Sequence, residues 1–127
     1  MEKIDRELLI KEISTRLPYG IKVQVFGWDE EKGEVAVPLK VYSINTDGYI
    51  SLEYNHYDVE SVYIEDCLLY LRPMSSMKDE EKHQWIRVLK DPEYSCSGDD
   101  WLIEHHFDIR HLIDKGLAID CSNLDIY

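Results

Sequence analysis

The stretch Val41-Tyr42-Ser43-Ile44-Asn45-Thr46-Asp47-Gly48-Tyr49-Ile50-Ser51-Leu52-Glu53-Tyr54 decides the fold class. It is two runs of alternating residues around a turn. A two-residue Asp47-Gly48 loop would set Thr46 opposite Tyr49 and mix Tyr42 and Ile44 with Ser51 and Glu53 on one face. A three-residue Thr46-Asp47-Gly48 loop pairs Ile44 with Ile50 and Tyr42 with Leu52. One face then carries Tyr42, Ile44, Ile50, Leu52 and Tyr54, and the other Ser43, Asn45, Ser51 and Glu53. Such loops want a left-handed residue at their end, where Gly48 stands. The spacing therefore predicts an antiparallel hairpin in this register.

Upstream, Ile21, Val23 and Val25 alternate with Lys22 and Gln24, as in a half-buried strand. Val35, Val37, Leu39 and Val41 continue the pattern, but Tyr42 and Ile44 have the opposite parity. A one-residue slip moves side chains to the other face, so a bulge or bend is required. Pro38 cannot donate to a ladder, which favours a break there. Val59–Glu65 reads as a further strand with Val62 and Ile64 inward, and the sheet signal stops at Leu71-Arg72-Pro73.

Helices flank the sheet. Leu9, Ile10, Ile13 and Leu17 form one stripe of a helix over residues 3–17 that Pro18 ends. Ser76 reads as the N-cap of a second helix, with Asp79 and Glu80 in its first turn. Its apolar face is Met77, Trp85, Val88 and Leu89, and Asp91-Pro92 stops it. Asp99 or Asp100 caps a short helix over 101–106. Asp108 reads as the N-cap of another, with Ile109, Leu112 and Ile113 buried and Gly116 as its left-handed C′ residue. On that reading Asp108→Asn keeps most of the stability. Leu117-Ala118-Ile119 reads as a short edge strand. The expected architecture is α+β and one domain over 1–127. Residues 1–72 supply the N-terminal helix and a small antiparallel, SH3-like or barrel-like sheet of four to five strands. Residues 73–127 supply helices packed on it.

Composition narrows the partners. The 127 residues carry 26 acids and 14 bases, a net charge of −12, spread over both halves. Direct nucleic-acid binding needs a basic face and is disfavoured. An acidic surface suits solubility, a basic protein partner or mimicry of DNA. Cys67, Cys96 and Cys121 are odd in number and lack a C-x-x-C, against a disulfide framework or zinc ribbon. With no apolar signal region and no membrane-length apolar run, a cytoplasmic setting is expected.

Chemistry, if present, concentrates in Trp101-Leu102-Ile103-Glu104-His105-His106-Phe107-Asp108-Ile109-Arg110-His111. His105, His106, Asp108 and His111 are ligand types, yet adjacent helical histidines diverge by about 100° and the i, i+4 spacing of H-E-x-x-H is missing. No cysteine sits in a nucleophile motif, no Gly-rich phosphate loop exists, and the acid pairs lie on turns. No catalytic set, no metal set and no cofactor is assigned. The linker Leu71-Arg72-Pro73-Met74-Ser75-Ser76-Met77 carries Arg and two Met, which favour protein contacts. Trp101 and His105, four apart, share a helical face. Arg72, Pro73, Met74, Trp101, His105 and His106 are therefore the expected interaction surface. Its competing role is glue between the sheet and the helices.

Three motifs carry a resemblance. They are Leu17-Pro18-Tyr19-Gly20-Ile21-Lys22-Val23, the linker Leu71–Met77, and Trp101-Leu102 … His105-His106-Phe107-Asp108 … Arg110 … Leu112-Ile113 … Lys115-Gly116-Leu117-Ala118. In this order they resemble a family of small uncharacterised proteins from gut-bacterial prophages and other mobile elements. That pattern usually has a small residue where this chain has His111. The resemblance brings no established activity. Taken with the composition and the missing catalytic set, the expected role is a non-enzymatic accessory protein of a prophage or mobile element that binds another protein. An enzyme with a site around His105, His106 and Asp108 is the alternative, and an acidic DNA mimic that inhibits a DNA-binding protein is another.

Overall fold

A computed structural model describes residues 3–25, 38–53, 59–91, 93, 98–124 and 126–127. Helix α1 (Lys3–Arg16) runs into a 3-10 turn at Leu17–Tyr19 that contains Pro18, and Gly20 leaves it in the left-handed region at φ +74°. Strands follow as β1 (Lys22–Val25), β2 (Leu39–Ile44), β3 (Tyr49–Glu53), β4 (Val59–Tyr63) and β5 (Cys67–Leu71), with a 3-10 turn at Ile64–Asp66 before β5. Helices α2 (Asp79–Lys90) and α3 (Gly98–Glu104) come next, and β6 (Ala118–Asp120) closes the series.

The described strands form one sheet in the order β4-β3-β2-β1-β5-β6, antiparallel throughout except for the parallel β5/β6 pair. The sheet is open, and the barrel expected from the sequence does not close. Closure requires the two end strands to pair. Here β6, delivered after α3, occupies the outer edge of β5, so the ends are β4 and β6. That edge strand is the one expected at Leu117-Ala118-Ile119, shifted by one residue, so the part after residue 73 combines helices with a strand.

The hairpin register is the expected one next to the turn, but the expected Tyr42–Leu52 pair does not form. Ile44 pairs with Ile50 and the Asn45 amide donates to the Tyr49 carbonyl, with Gly48 at φ +87°. The Asn45 side chain holds the loop, accepting the amides of Asp47 and Tyr49. The parity slip is resolved at Tyr42 and not at Pro38. The register shifts between Val41 and Ser43, so Val41 pairs with Leu52 and Tyr42 is the extra residue of a bulge. Tyr42 therefore leaves the core and is 66% exposed. Val35, Val37 and Tyr54 lie outside the described residues.

Gly48 is needed chiefly for its φ. A Cβ there would meet the guanidinium end of Arg6, a flexible group that can shift aside. Gly48→Ala is expected to cost about 1–2 kcal/mol, mostly from left-handed strain. Urea unfolding checks this, and a cost near zero would mean that the loop can change type.

One sheet face is dry. Val23, Leu39, Val41, Ile50, Leu52, Leu69 and Leu71 pack there with Leu9 and Ile13 of α1 and with Leu112, Leu117 and Ala118. A second cluster joins Met77 and Val88 to Trp101, Leu102 and Phe107. Leu89, expected inside, is mostly exposed. Ser76 does not cap α2. Its hydroxyl donates to the Pro73 carbonyl within a 3-10 turn at Met74–Ser76, and the helix opens after Lys78, whose amide donates to Glu81. No helix among the described residues is long and apolar enough to cross a membrane.

Candidate functional site

The segment after α3 is built from two successive turns of one kind. His106 N–H donates to the Ile103 carbonyl and Phe107 N–H to the Leu102 carbonyl. Ten residues later, Gly116 N–H donates to Ile113 and Leu117 N–H to Leu112. Both are Schellman closures, in which a left-handed residue ends a helical turn and the next residue bonds five back. Leu102-Ile103-Glu104-His105-His106-Phe107 and Leu112-Ile113-Asp114-Lys115-Gly116-Leu117 thus share one geometry. Gly116 takes the left-handed position at φ +75°, and His106 takes it at φ +67°. Each turn then delivers the chain to β5. Phe107 bridges Arg72, and Ala118 pairs with Leu69.

The expected helix after Asp108 does not form. His111 has φ +59°, which breaks a right-handed helix, and only turns follow. Its side chain is exposed, near Asp114. Asp108 is buried and caps this loop instead of a helix. One carboxylate oxygen accepts the amides of Arg110 and Leu112 at 3.3 and 2.9 Å, and the other accepts that of Ile113 at 3.0 Å.

Arg72, Met74, Trp101, His105 and His106 do come together where the sheet meets the helices. Arg72 is fully engaged there. Its guanidinium makes a two-pronged pair with Glu81 at 2.7 and 2.8 Å and approaches the carbonyls of Ser76 and His105. It also lies 4.2 Å from the Phe107 ring centroid. Trp101 is buried, and Met74 packs partly buried against the same cluster. Pro73 lends its carbonyl to the Ser76 turn. Met74 and Trp101 thus serve as mortar between layers, and Arg72 does so while also lining the cleft beside them.

His105 and His106 border a cleft of about 650 Å³, with Lys78, Glu81, Glu104, Cys121, Asn123 and Tyr127 also lining it. His105 stacks on Trp101 at 4.0 Å, and its Nδ1 lies 2.8 Å from the Trp101 carbonyl. A carbonyl only accepts, so Nδ1 carries the proton. The His106 ring lies flat on Tyr127 at 3.5 Å, and its buried Nδ1 has no hydrogen-bond partner among the described residues. Tyr127 is anchored from the other side, its hydroxyl accepting the Lys22 amide and donating to the Tyr70 carbonyl. No local pattern points to Tyr127 or Cys121 here, since only tertiary structure brings them beside the turn at His106.

Charge states follow from these surroundings. Burial, helped by the positive charge of Arg16, pulls His106 down to about 4, so it is neutral near pH 7. The Arg72 hydrogen bonds hold Glu81 down to about 2. Burial pushes the Cys67 thiol up to about 12 and also raises Cys121, so neither is a thiolate near neutrality. Among the described residues no group of three or more His, Cys, Asp or Glu could hold a metal.

These shifts define two pH windows. His106 has a folded value below its ordinary 6.5, so its contribution is complete above pH 6.5 and is lost as pH falls towards 4. Glu81 contributes fully above pH 4.5 and loses its share between 4.5 and 2. His106→Asn keeps a residue tolerant of left-handed backbone and removes the titration. It is expected to flatten Tm against pH between 6.5 and 4 while leaving the lower window unchanged. An unaltered upper window would assign that slope to other groups.

No protein-family model, curated protein or solved structure matches this chain.

Proposed function

We propose that this protein acts by binding another protein and not by catalysis, as a cytoplasmic accessory factor of a prophage or other mobile element. The mobile-element part rests on the three sequence motifs. The binding part rests on one observation: the face of β2, β3 and β4 turned away from the core carries exposed Tyr42, Tyr49 and Tyr63. Large aromatic side chains left in water on a rigid sheet suit a protein interface. By contrast, the groups that a reaction around His105 and His106 would recruit are engaged. Asp108 accepts three backbone amides, and Arg72 is paired with Glu81. The antiparallel run β5-β1-β2-β3-β4 supports an SH3-like reading of the sheet, opened by β6.

A second reading keeps an enzyme at the cleft. It is favoured by His106, whose strained backbone and unpartnered ring nitrogen are the kind of cost that active sites carry. Affinity purification of the tagged chain from its native host tests the first reading. A partner recovered in stoichiometric amount supports binding. Recovery of the chain alone, together with substrate turnover abolished by His106→Asn, would replace binding with catalysis.

A further inference from the structure

We infer that the outer face of β2–β4 docks a basic partner, with the Tyr49/Tyr63 pair receiving an arginine or lysine side chain. This rests on the protein-binding reading and deepens it by naming the surface and the chemistry of what covers it.

Strand pairing sets the composition of the face. Ser43 pairs with Ser51, Ser51 with Ser61, and Tyr49 with Tyr63. The bulge adds Tyr42 beside Ser43. At the far end Lys40 faces Glu53. Tyrosine and serine together are the chemistry of binding surfaces, broad rings with few rotamers beside small adaptable hydroxyls. The three rings are 66%, 38% and 50% exposed in chain order. The opposite sides of the same strands are dry, so the main core does not need the rings, whose one structural return is the cross-strand Tyr49/Tyr63 contact.

The central pair is already organised. The Tyr49 and Tyr63 hydroxyls lie 2.7 Å apart and the ring centroids 4.5 Å apart at 35°. Fixing two rings in advance lowers the ordering cost of binding. A cation over such rings is attracted by their π faces.

Charge selects the partner. Asp47 stands in the loop at the hairpin end of the face, and the guanidinium of Arg6 is tied to Glu65 and to the Asp47 carbonyl. The hydrogen bond with Tyr63 raises the pKa of the Tyr49 hydroxyl, and the negative charge of Asp47 adds to that rise. Lys40 and Glu53 offset one another. The whole chain carries −12, so two copies repel and a positively charged surface is attracted. Two rings with a carboxylate beside them suit a guanidinium or ammonium group.

The test uses acetyl-Gly-Arg-Gly-Arg-Gly-amide titrated into the isotope-labelled full chain by NMR. Expected are saturable shifts confined to residues 42–51 and 61–66, absent with the Glu-for-Arg peptide. Affinity should fall about tenfold in Tyr49→Ser/Tyr63→Ser and in Asp47→Asn. Tyr63→Phe and Tyr42→Ser, at exposed positions, guard against loss of fold. The first keeps a ring and should keep most binding, and the second should weaken it. Shifts spread over the acidic first turn of α2, or equal affinity in the tyrosine variants, overturn the proposal. So does self-association in sedimentation that Tyr42→Ser abolishes, since the occupant would then be a second copy. If the peptide fails on this face while a partner still co-purifies, the docking surface is wrong and the protein-binding reading stands.

Discussion

Glu12→Gln is expected to lower the unfolding free energy by about 3–5 kcal/mol, among the largest effects of any single polar substitution in the chain. Arg16 is 0% exposed and Glu12 3% exposed, one helical turn apart on α1. Arg16 Nε donates to Glu12 at 3.0 Å and Nη2 donates to the Phe107 carbonyl at 2.7 Å. This arginine therefore ties α1 to the turn that carries His106. Its Nη1 is buried without a partner among the described residues, so the site tolerates little further loss. Removing the carboxylate charge leaves a guanidinium with nothing to balance it in a dry interior. Arg16→Met is expected to cost less, about 1–3 kcal/mol, because Glu12 keeps Arg110 at 3.5 Å and that side chain is half exposed. It should also raise the pKa of His106, which Arg16 helps to depress. Glu12→Leu/Arg16→Met should recover part of the stability, as buried ion pairs replaced by apolar groups commonly do. Urea unfolding and His106 NMR titration read all three variants. A larger cost for Arg16→Met than for Glu12→Gln would mean that the bond to Phe107 matters more than charge balance.

That ion pair also marks where sequence reading ends. The period of α1 placed Leu9 and Ile13 in the core, but Glu and Arg four apart read as a solvent-exposed pair on any helix. Only the chain returning at Phe107 buries them. The hairpin was legible because its register is local. Turn length, the left-handed need at Gly48 and the alternation of Ile44, Ile50 and Leu52 all agree. The parity slip was legible as a necessity, but alternation cannot say which residue becomes the bulge, and Pro38 drew attention from Tyr42. The C-terminal segment misled for a specific reason. His106 and His111 adopt left-handed conformations without being glycine or asparagine, so nothing in their identity signals a break. The apolar spacing of Ile109, Leu112 and Ile113 then imitates a helix. The junction residues Arg72, Trp101 and His105 could be grouped because the linker must pass the helices, whereas Tyr127 reaches His106 only through tertiary structure.

Asp108→Ala is expected to cost about 3–5 kcal/mol, well beyond the roughly 1 kcal/mol of an ordinary helix cap. The difference comes from what the carboxylate holds. Three backbone amides converge on it, those of Leu112 and Ile113 at 2.9 and 3.0 Å, and Asp108 itself is buried. Alanine would leave those donors unpaired beside the main core, with Leu112 fully buried next to them. Asp108→Asn is the sharper test. A helix cap needs one acceptor oxygen, and asparagine supplies it. Here both oxygens accept, so an asparagine must turn its amide donor towards either Leu112 N–H or Ile113 N–H. Two donors then face each other in a buried site. The cost should reach about 1–3 kcal/mol, against near neutrality for a helix cap. Because the loop from 108 to 117 delivers β6 to the edge of β5, the lost protection should extend from the amides of Leu112 and Ile113 to that of Leu117. Chemical denaturation and amide hydrogen exchange read the two consequences separately. If Asn at position 108 preserves both stability and slow exchange at Ile113, only one oxygen is needed and the loop is held chiefly by its apolar contacts.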